Sequence, residues 1–360
     1  MRLIPSFHPA ASLALASAGL FGVSAPLAKL LLGEGVSPWM LAGLLYLASG
    51  FGLLIWRLGS SALGVPRHEA PLRRADLPWL AAVVVSGGAI GPVLLMYGLA
   101  QTSASSASLL LNLESLATMA IAWIAFRENV DRRLLIGAAA ILLGGVVLAW
   151  SGEAGGFGLG SLAIVGACVA WGVDNNLTRK LSSADPIQIT MIKGLAAGSV
   201  NLTIAIAGGS MIPGVEMIGA AALIGFFGYG VSLVFFVIGL RHLGAARTGA
   251  YFSTAPFIGA VASILLFDEP LTPQLLAAGA LMAVGLYLHL TEAHDHEHDH
   301  PEIEHEHRHV HDLHHQHPHA DGVSLHEPHS HRHSHASLRH SHPHFPDLHH
   351  RHPHSHALGE

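Results

Sequence analysis

A chain of 360 residues that is 51% hydrophobic and only 12% charged, with a mean hydropathy of +0.47, is too apolar for a water-soluble domain. Its formal charge of −6 belongs to its last stretch: residues 294–360 hold 25 of the 29 histidines, 11 Asp and Glu, four Arg and no Lys, whereas the preceding residues are close to neutral. No basic surface points to nucleic acid, and the single cysteine, Cys168, lies inside an apolar segment, which excludes an internal disulfide and disfavours a thiolate metal site.

The first apolar run, within Met1 to Pro26, contains Ala16-Ser17-Ala18, a small-residue triplet like that of a signal-peptide cleavage site. The run continues through Leu20 to Leu32, beyond the length of a signal h-region, so an uncleaved first membrane helix is expected. A hydrocarbon core of ~30 Å needs about 20 apolar residues per helix. By that measure spans are expected near residues 10–31, 38–56, 77–99, 105–126, 134–150, 159–178, 187–207, 217–240, 247–267 and 273–290.

The basic residues fall on one side of this pattern. Arg57, Arg67, Arg73, Arg74, Arg127, Arg132, Arg133, Arg179, Lys180, Arg241 and Arg247 follow even-numbered spans, and Lys29 near the end of the first span is the exception. Because positive loops stay in the cytoplasm, both termini and the histidine tract are expected there. Lys29 and Arg247, near helix ends, read as snorkelling side chains.

The two halves resemble each other at a constant offset, which matches Gly98 with Gly239, Leu99 with Leu240, Phe126 with Phe267, Glu128 with Glu269 and Leu134-Leu135 with Leu275-Leu276. Five spans per half is an odd number, so the second half enters the membrane upside down, an arrangement that transporters use to build alternating access. The expected fold is therefore an all-α polytopic membrane protein: ten transmembrane helices as two inverted five-helix repeats, residues 1–150 and 151–293, plus a disordered tail at 294–360.

With Leu113-Glu114 in the fourth span, Phe126-Arg127-Glu128 at its end and Phe267-Asp268-Glu269-Pro270 at the corresponding end of the second half, the chain resembles the drug/metabolite transporter superfamily, EamA type. Ser115 departs from that pattern, which commonly has proline there; Pro256 occupies the corresponding place in the second half. The resemblance covers roughly residues 10–290. It implies a secondary transporter and suggests export.

Charges within a bilayer are costly, so those that persist usually face a cavity or a partner. Glu114 is expected near the midplane, about 14 Å from the outer end of its helix, with Asn112, Ser115 and Thr118 nearby. It reads either as a site for a cationic group or a coupling proton, or as a structural carboxyl group. Asp174 and Lys193, on adjacent antiparallel spans at matching depth, are expected to pair, with Asn175, Asn176 and Thr178 close by. That pair reads equally as structural or as part of a substrate site. Gly87-Gly88, Gly91-Pro92, Ala25-Pro26 and Ala255-Pro256 mark candidate hinges. No nucleophile–base pair, phosphate loop or dinucleotide fingerprint occurs, so no enzyme activity and no required cofactor are expected.

In the tail, "HDHEHDHPEIEHEHRHVHDLHHQHPH" alternates imidazole with carboxylate. His294, His296, His298, His300, His305, His307, His309, His311, His314 and His315 are the candidate ligands, suited to several weak sites for Zn, Ni, Co or Cu. Frequent proline and little apolar content argue for disorder. Three readings follow. The first is a divalent-metal (Zn/Ni/Co) exporter fed by the tail. The second is an exporter of a small organic metabolite or amino acid whose tail buffers or senses metal, and the third a non-transporting membrane metal sensor. The expected partners are the lipid bilayer of the cytoplasmic (inner) membrane and a small-molecule or metal substrate; a homodimer is left open.

Overall fold

The computed structural model describes residues 9–64, 69–126, 132–151, 156–182, 184–290, 295–300, 303–309, 329–335 and 338–343. The first helix, α1 (Pro9–Gly33), is followed by α2 (Pro38–Ala62), which starts where the Ser37 hydroxyl accepts the Met40 N–H and Pro38 supplies a preset φ. A 3₁₀ turn at Arg74–Asp76 leads into α3 (Leu77–Val83), a π-helical turn at Val84–Ile90 and α4 (Gly91–Gln101). Next come α5 (Ala104–Leu110), α6 (Leu113–Phe126) and α7 (Arg132–Ala149). The two-residue strands β1 (Trp150–Ser151) and β2 (Gly156–Phe157) pair antiparallel and connect α7 to α8 (Leu159–Leu181). The Asp185 carboxylate caps α9 (Pro186–Ala207) by accepting the N–H groups of Ile187 and Gln188. Then α10 (Val215–Ile224), a second π turn at Gly225–Val231, α11 (Ser232–Phe252), α12 (Ala255–Phe267) and α13 (Pro273–Leu290) complete the helical body.

Seven helical runs among the described residues are long and apolar enough to cross a membrane: Ala10–Gly33, Pro38–Ala62, Arg74–Gln101, Ala104–Ala125, Arg132–Ala149, Pro186–Ala207 and Val215–Leu243. Ala255–Phe267 and Pro273–His289 are apolar but shorter. The 23 residues of α8 are long enough, but Asp174, Asn175, Asn176, Arg179 and Lys180 make its second half polar. The expected span 105–126 is interrupted at Leu111–Asn112, and the segment expected as 247–267 is interrupted at Ser253–Thr254, with its first turns continuing α11.

The first interruption forms without proline. Three i→i−3 bonds, Leu111 N–H to Ser108, Asn112 N–H to Leu109 and Glu114 N–H to Leu111, tighten the chain, and the Ser115 hydroxyl donates to the Asn112 carbonyl at 2.8 Å. In the second interruption Pro256 removes a donor, and Thr254 Oγ1 donates to the Tyr251 carbonyl at 2.7 Å. Serine chemistry in one place and proline in the other produce breaks at matching positions.

The helices pack across the chain. α2 lies on α9, α7 on α13, α1 on α11 and α12, α4 and α6 on α8, and α5 on α12. Buried Leu41, Leu45, Leu95, Met96, Leu99, Leu110, Ile141 and Ile164 fill the main core. At the α2–α9 seam, Gly43, Gly50, Gly194 and Gly198 bring the two backbones so close that a methyl group on any of them would overlap the facing chain.

In the tail, Asp295–His300 (β3) pairs antiparallel with Leu338–Pro343 (β6), and Ile303–His309 (β4) with His329–His335 (β5). Alternating His and acidic residues have a period of two, which suits extended chain. His294, His311, His314 and His315 lie outside the described residues.

Candidate functional site

The site begins with the geometry of α3–α4. Pro92 has no N–H to offer the Gly88 carbonyl, and the Gly91 N–H bonds to Ser86 instead of Gly87, so both glycine carbonyls leave the helical ladder. Buried acceptors of this kind need partners. Gly87 O receives the Tyr46 hydroxyl at 2.8 Å and the Trp171 indole N–H at 3.0 Å; Gly88 O receives Asn201 Nδ2 at 3.3 Å. The π turn is thereby fastened to α2, α8 and α9.

The absence of side chains at Gly87 and Gly88 then makes room for charge. A Cβ on Gly87 would overlap the Asp174 carboxyl group, and one on Gly88 would press on Ala197 beside the Lys193 stem. In this space Lys193 Nζ meets Asp174 Oδ2 at 2.5 Å, with both residues 4% exposed. Thr178 Oγ1 donates to the other carboxylate oxygen at 3.3 Å. The expected pairing of Asp174 with Lys193 is present.

Glu114, at the start of α6, is 8% exposed and lies within electrostatic reach of both Asp174 and Lys193. Asn175 of α8 donates from Nδ2 to Glu114 Oε1 at 2.9 Å and to Thr118 Oγ1 at 3.2 Å. Asn176, one residue on, donates to the carbonyls of Thr118 and Gly172 at 3.0 and 2.8 Å and locks α8 to α6. Glu114, Asp174, Asn175 and Lys193 therefore form one cluster drawn from α6, α8 and α9, with Asn175 half-buried and the three charged residues buried. Asn112 stands apart: its Nδ2 donates to the Leu109 carbonyl at 3.0 Å and faces Met282 Sδ of α13, and its Oδ1 has no hydrogen-bond partner among the described residues.

Aromatic side chains adjoin the cluster. The Phe21 ring is 5.8 Å from Trp171 and 5.7 Å from Tyr229, both edge-on, and Tyr46 is 5.4 Å from Tyr229. Tyr46, Trp171 and Tyr229 escape a sequence reading because they look like ordinary core aromatics; only their hydroxyl and indole groups distinguish them. No group of three or more His, Cys, Asp or Glu side chains suited to a metal occurs among the described residues. The candidate ligands His296, His298 and His300 lie on β3, and His305, His307 and His309 on β4.

A bundle of apolar helices closed around a small set of buried charges is the design of a membrane transporter. The chain belongs to the EamA-like transporter family, whose model matches it twice, at residues 8–150 and 158–291. It is 28% identical over 283 residues to an uncharacterized transporter of Methanothermobacter thermautotrophicus (strain Delta H), covering 74% of this chain and 82% of the relative. It is 25% identical over 224 residues to an uncharacterized transporter of Archaeoglobus fulgidus, covering 59% and 77%. A protein of known crystal structure shares the fold with a TM-score of 0.60 at 22% identity, over 79% of this chain and 96% of the other.

Proposed function

We propose that the chain is a secondary transporter of the cytoplasmic membrane that exports a small organic solute. The solute passes the Glu114–Asp174–Lys193 cluster as two inverted five-helix repeats, 1–150 and 151–293, rock against each other. The cytoplasmic tail, 294–360, binds divalent metal and adjusts that transport. The ten-helix, two-repeat reading is supported by exchange symmetry in the packing: α1 on α11 is answered by α4 on α8, α1 on α12 by α6 on α8, while α2 and α9, and α7 and α13, pair like with like. The π turns at Val84–Ile90 and Gly225–Val231 are separated by the same offset as Gly98 and Gly239.

The observation that carries the choice of solute is the Asp174–Lys193 ion pair. With that carboxylate neutralised, the cluster offers one carboxylate, Glu114, and one amide, Asn175. This suits a single cationic or hydrogen-bonding group. A divalent ion, in contrast, requires several anionic or imidazole ligands. A second reading, Zn, Ni or Co efflux, is favoured by the histidine content of the tail.

Two measurements on the same cells separate these readings: solutes released to the medium, and cellular Zn, Ni, Co and Cu by elemental mass spectrometry under metal challenge. They are applied to the intact chain, a chain ending at Glu292, and Glu114→Gln. The proposal expects an organic solute in the medium that Glu114→Gln abolishes, with metal content indifferent to that change. Metal content that falls with the intact chain and recovers in Glu114→Gln would establish metal efflux instead. A Glu114→Gln substitution that changes neither measurement from that of the intact chain would favour the non-transporting sensor.

A further inference from the structure

At one end of the bundle, the corner between α4 and α5 is held on both sides by charged groups. Lys29 of α1 donates from Nζ to the carbonyls of Leu99 and Thr102 at 2.7 and 2.5 Å, at the close of α4. The Glu269 carboxylate accepts the N–H groups of Ala104 and Ser105 at 2.7 and 2.9 Å, at the opening of α5. A cation on the carbonyl end and an anion on the amide end match the polarity of helix termini. Asp268, in the left-handed region at φ 50°, ends α12 and turns the chain toward this corner. Glu269 comes from the second family match and the corner from the first, so the contact joins the two halves.

The opposite end is also tied across the halves. Arg241 of α11 donates to the carbonyls of Ser182 and Ala184, both at 2.8 Å, and to Glu69 Oε2 at 2.7 Å. Arg57 meets Asp185 at 2.5 Å, and the Asp185 N–H bonds to the Ala70 carbonyl. The segment leading into α3 is thus fastened to the α8–α9 connection. The arginine distribution makes this the cytoplasmic end, and the Glu114–Asp174–Lys193 cluster belongs to the helices that run between the two ties.

We infer that these are the two gates of the transporter, Glu269 closing the outer face on the corner that Lys29 braces from within its own half and Arg241 with Glu69 closing the inner one, and that the structure is the occluded state with both shut. The inference rests on the alternating-access reading above. Breaking one gate favours the conformation open on that side, and in that conformation the other gate is closed. A tie that merely stabilises the fold has no such reciprocal effect.

The test uses the full chain with its one cysteine removed (Cys168→Ser) and a single reporter, either Ser105→Cys beneath the outer tie or Ser182→Cys beneath the inner one. Both positions are buried, at 2% and 0% exposure. A membrane-impermeant maleimide is applied to intact cells for the outer face and to inverted vesicles for the inner face. With Glu269→Ala, outer labelling of Ser105→Cys should rise about tenfold, within the range of typical conformational couplings, and inner labelling of Ser182→Cys should fall. Lys29→Met should act in the same direction, and Arg241→Met should do the reverse. No change, or a rise at both reporters in one variant, overturns the gates. If that happens while Glu114→Gln still abolishes solute release, the transporter reading stands without them. Reciprocal changes with the faces exchanged would support the gates and overturn the membrane orientation.

Discussion

Asp174 and Lys193 were legible as partners because helix rise alone sets their depth, and two ions buried at one depth have nowhere better to go. Each is 4% exposed, so removing one strands the other. Asp174→Asn or Lys193→Met alone should lower stability by about 3–5 kcal/mol, the usual consequence of leaving a buried charge unpaired. Combining Asp174→Asn with Lys193→Met should recover most of it, as read by thermal unfolding of the purified protein in lipid nanodiscs. An equal loss in the single and double variants would mean that the ions do not depend on each other. Lys29 and Asn175 were less legible. Lys29 read as a snorkelling cation, but its partners are backbone carbonyls, which leave no trace in a sequence. The reach of Asn175 to Glu114 depends on how α8 is rotated against α6, which the packing decides.

At the scale of an element, the π turn at Val84–Ile90 shows how punctuation becomes architecture. Gly87-Gly88 and Gly91-Pro92 were visible as a weak point, yet nothing local says whether such a point bends, breaks or winds wider. The outcome depends on whether donors wait to receive the freed carbonyls, and here Tyr46, Trp171 and Asn201 do. Tyr46→Phe and Trp171→Phe should each lower stability by about 1 kcal/mol, because Gly87 O keeps one partner in either variant. The double variant leaves that carbonyl bare and should lose more than the sum, measured as a thermal double-mutant cycle. Strict additivity would show that the two donors do not share one acceptor's fate. The break at Leu111–Asn112 teaches a related lesson: proline is a visible signal for it, and the hydroxyl of Ser115 produces the same geometry less visibly.

For the molecule as a whole, composition and hydropathy separated a membrane body from a histidine tract, and the internal offset brought out the twofold character that the family model matches twice. The π turns and the shifted boundary between α11 and α12 were beyond hydropathy, which averages over windows longer than the features themselves. Body and tail should also separate in experiment. A chain ending at Glu292 should keep the far-ultraviolet helical signal and the melting temperature of the full chain, while its titration calorimetry with Zn loses the multiple weak binding events expected of clustered imidazoles. A lowered melting temperature would mean that the tail braces the helices.

The glycine seam between α2 and α9 has a further meaning for a protein that separates two compartments. Where Gly50 and Gly194 face each other there is no room for one added methyl group, and hence none for a water molecule or a lipid chain. A membrane transporter must not let ions leak between its own helices, and a joint packed this closely is insulation as much as adhesion.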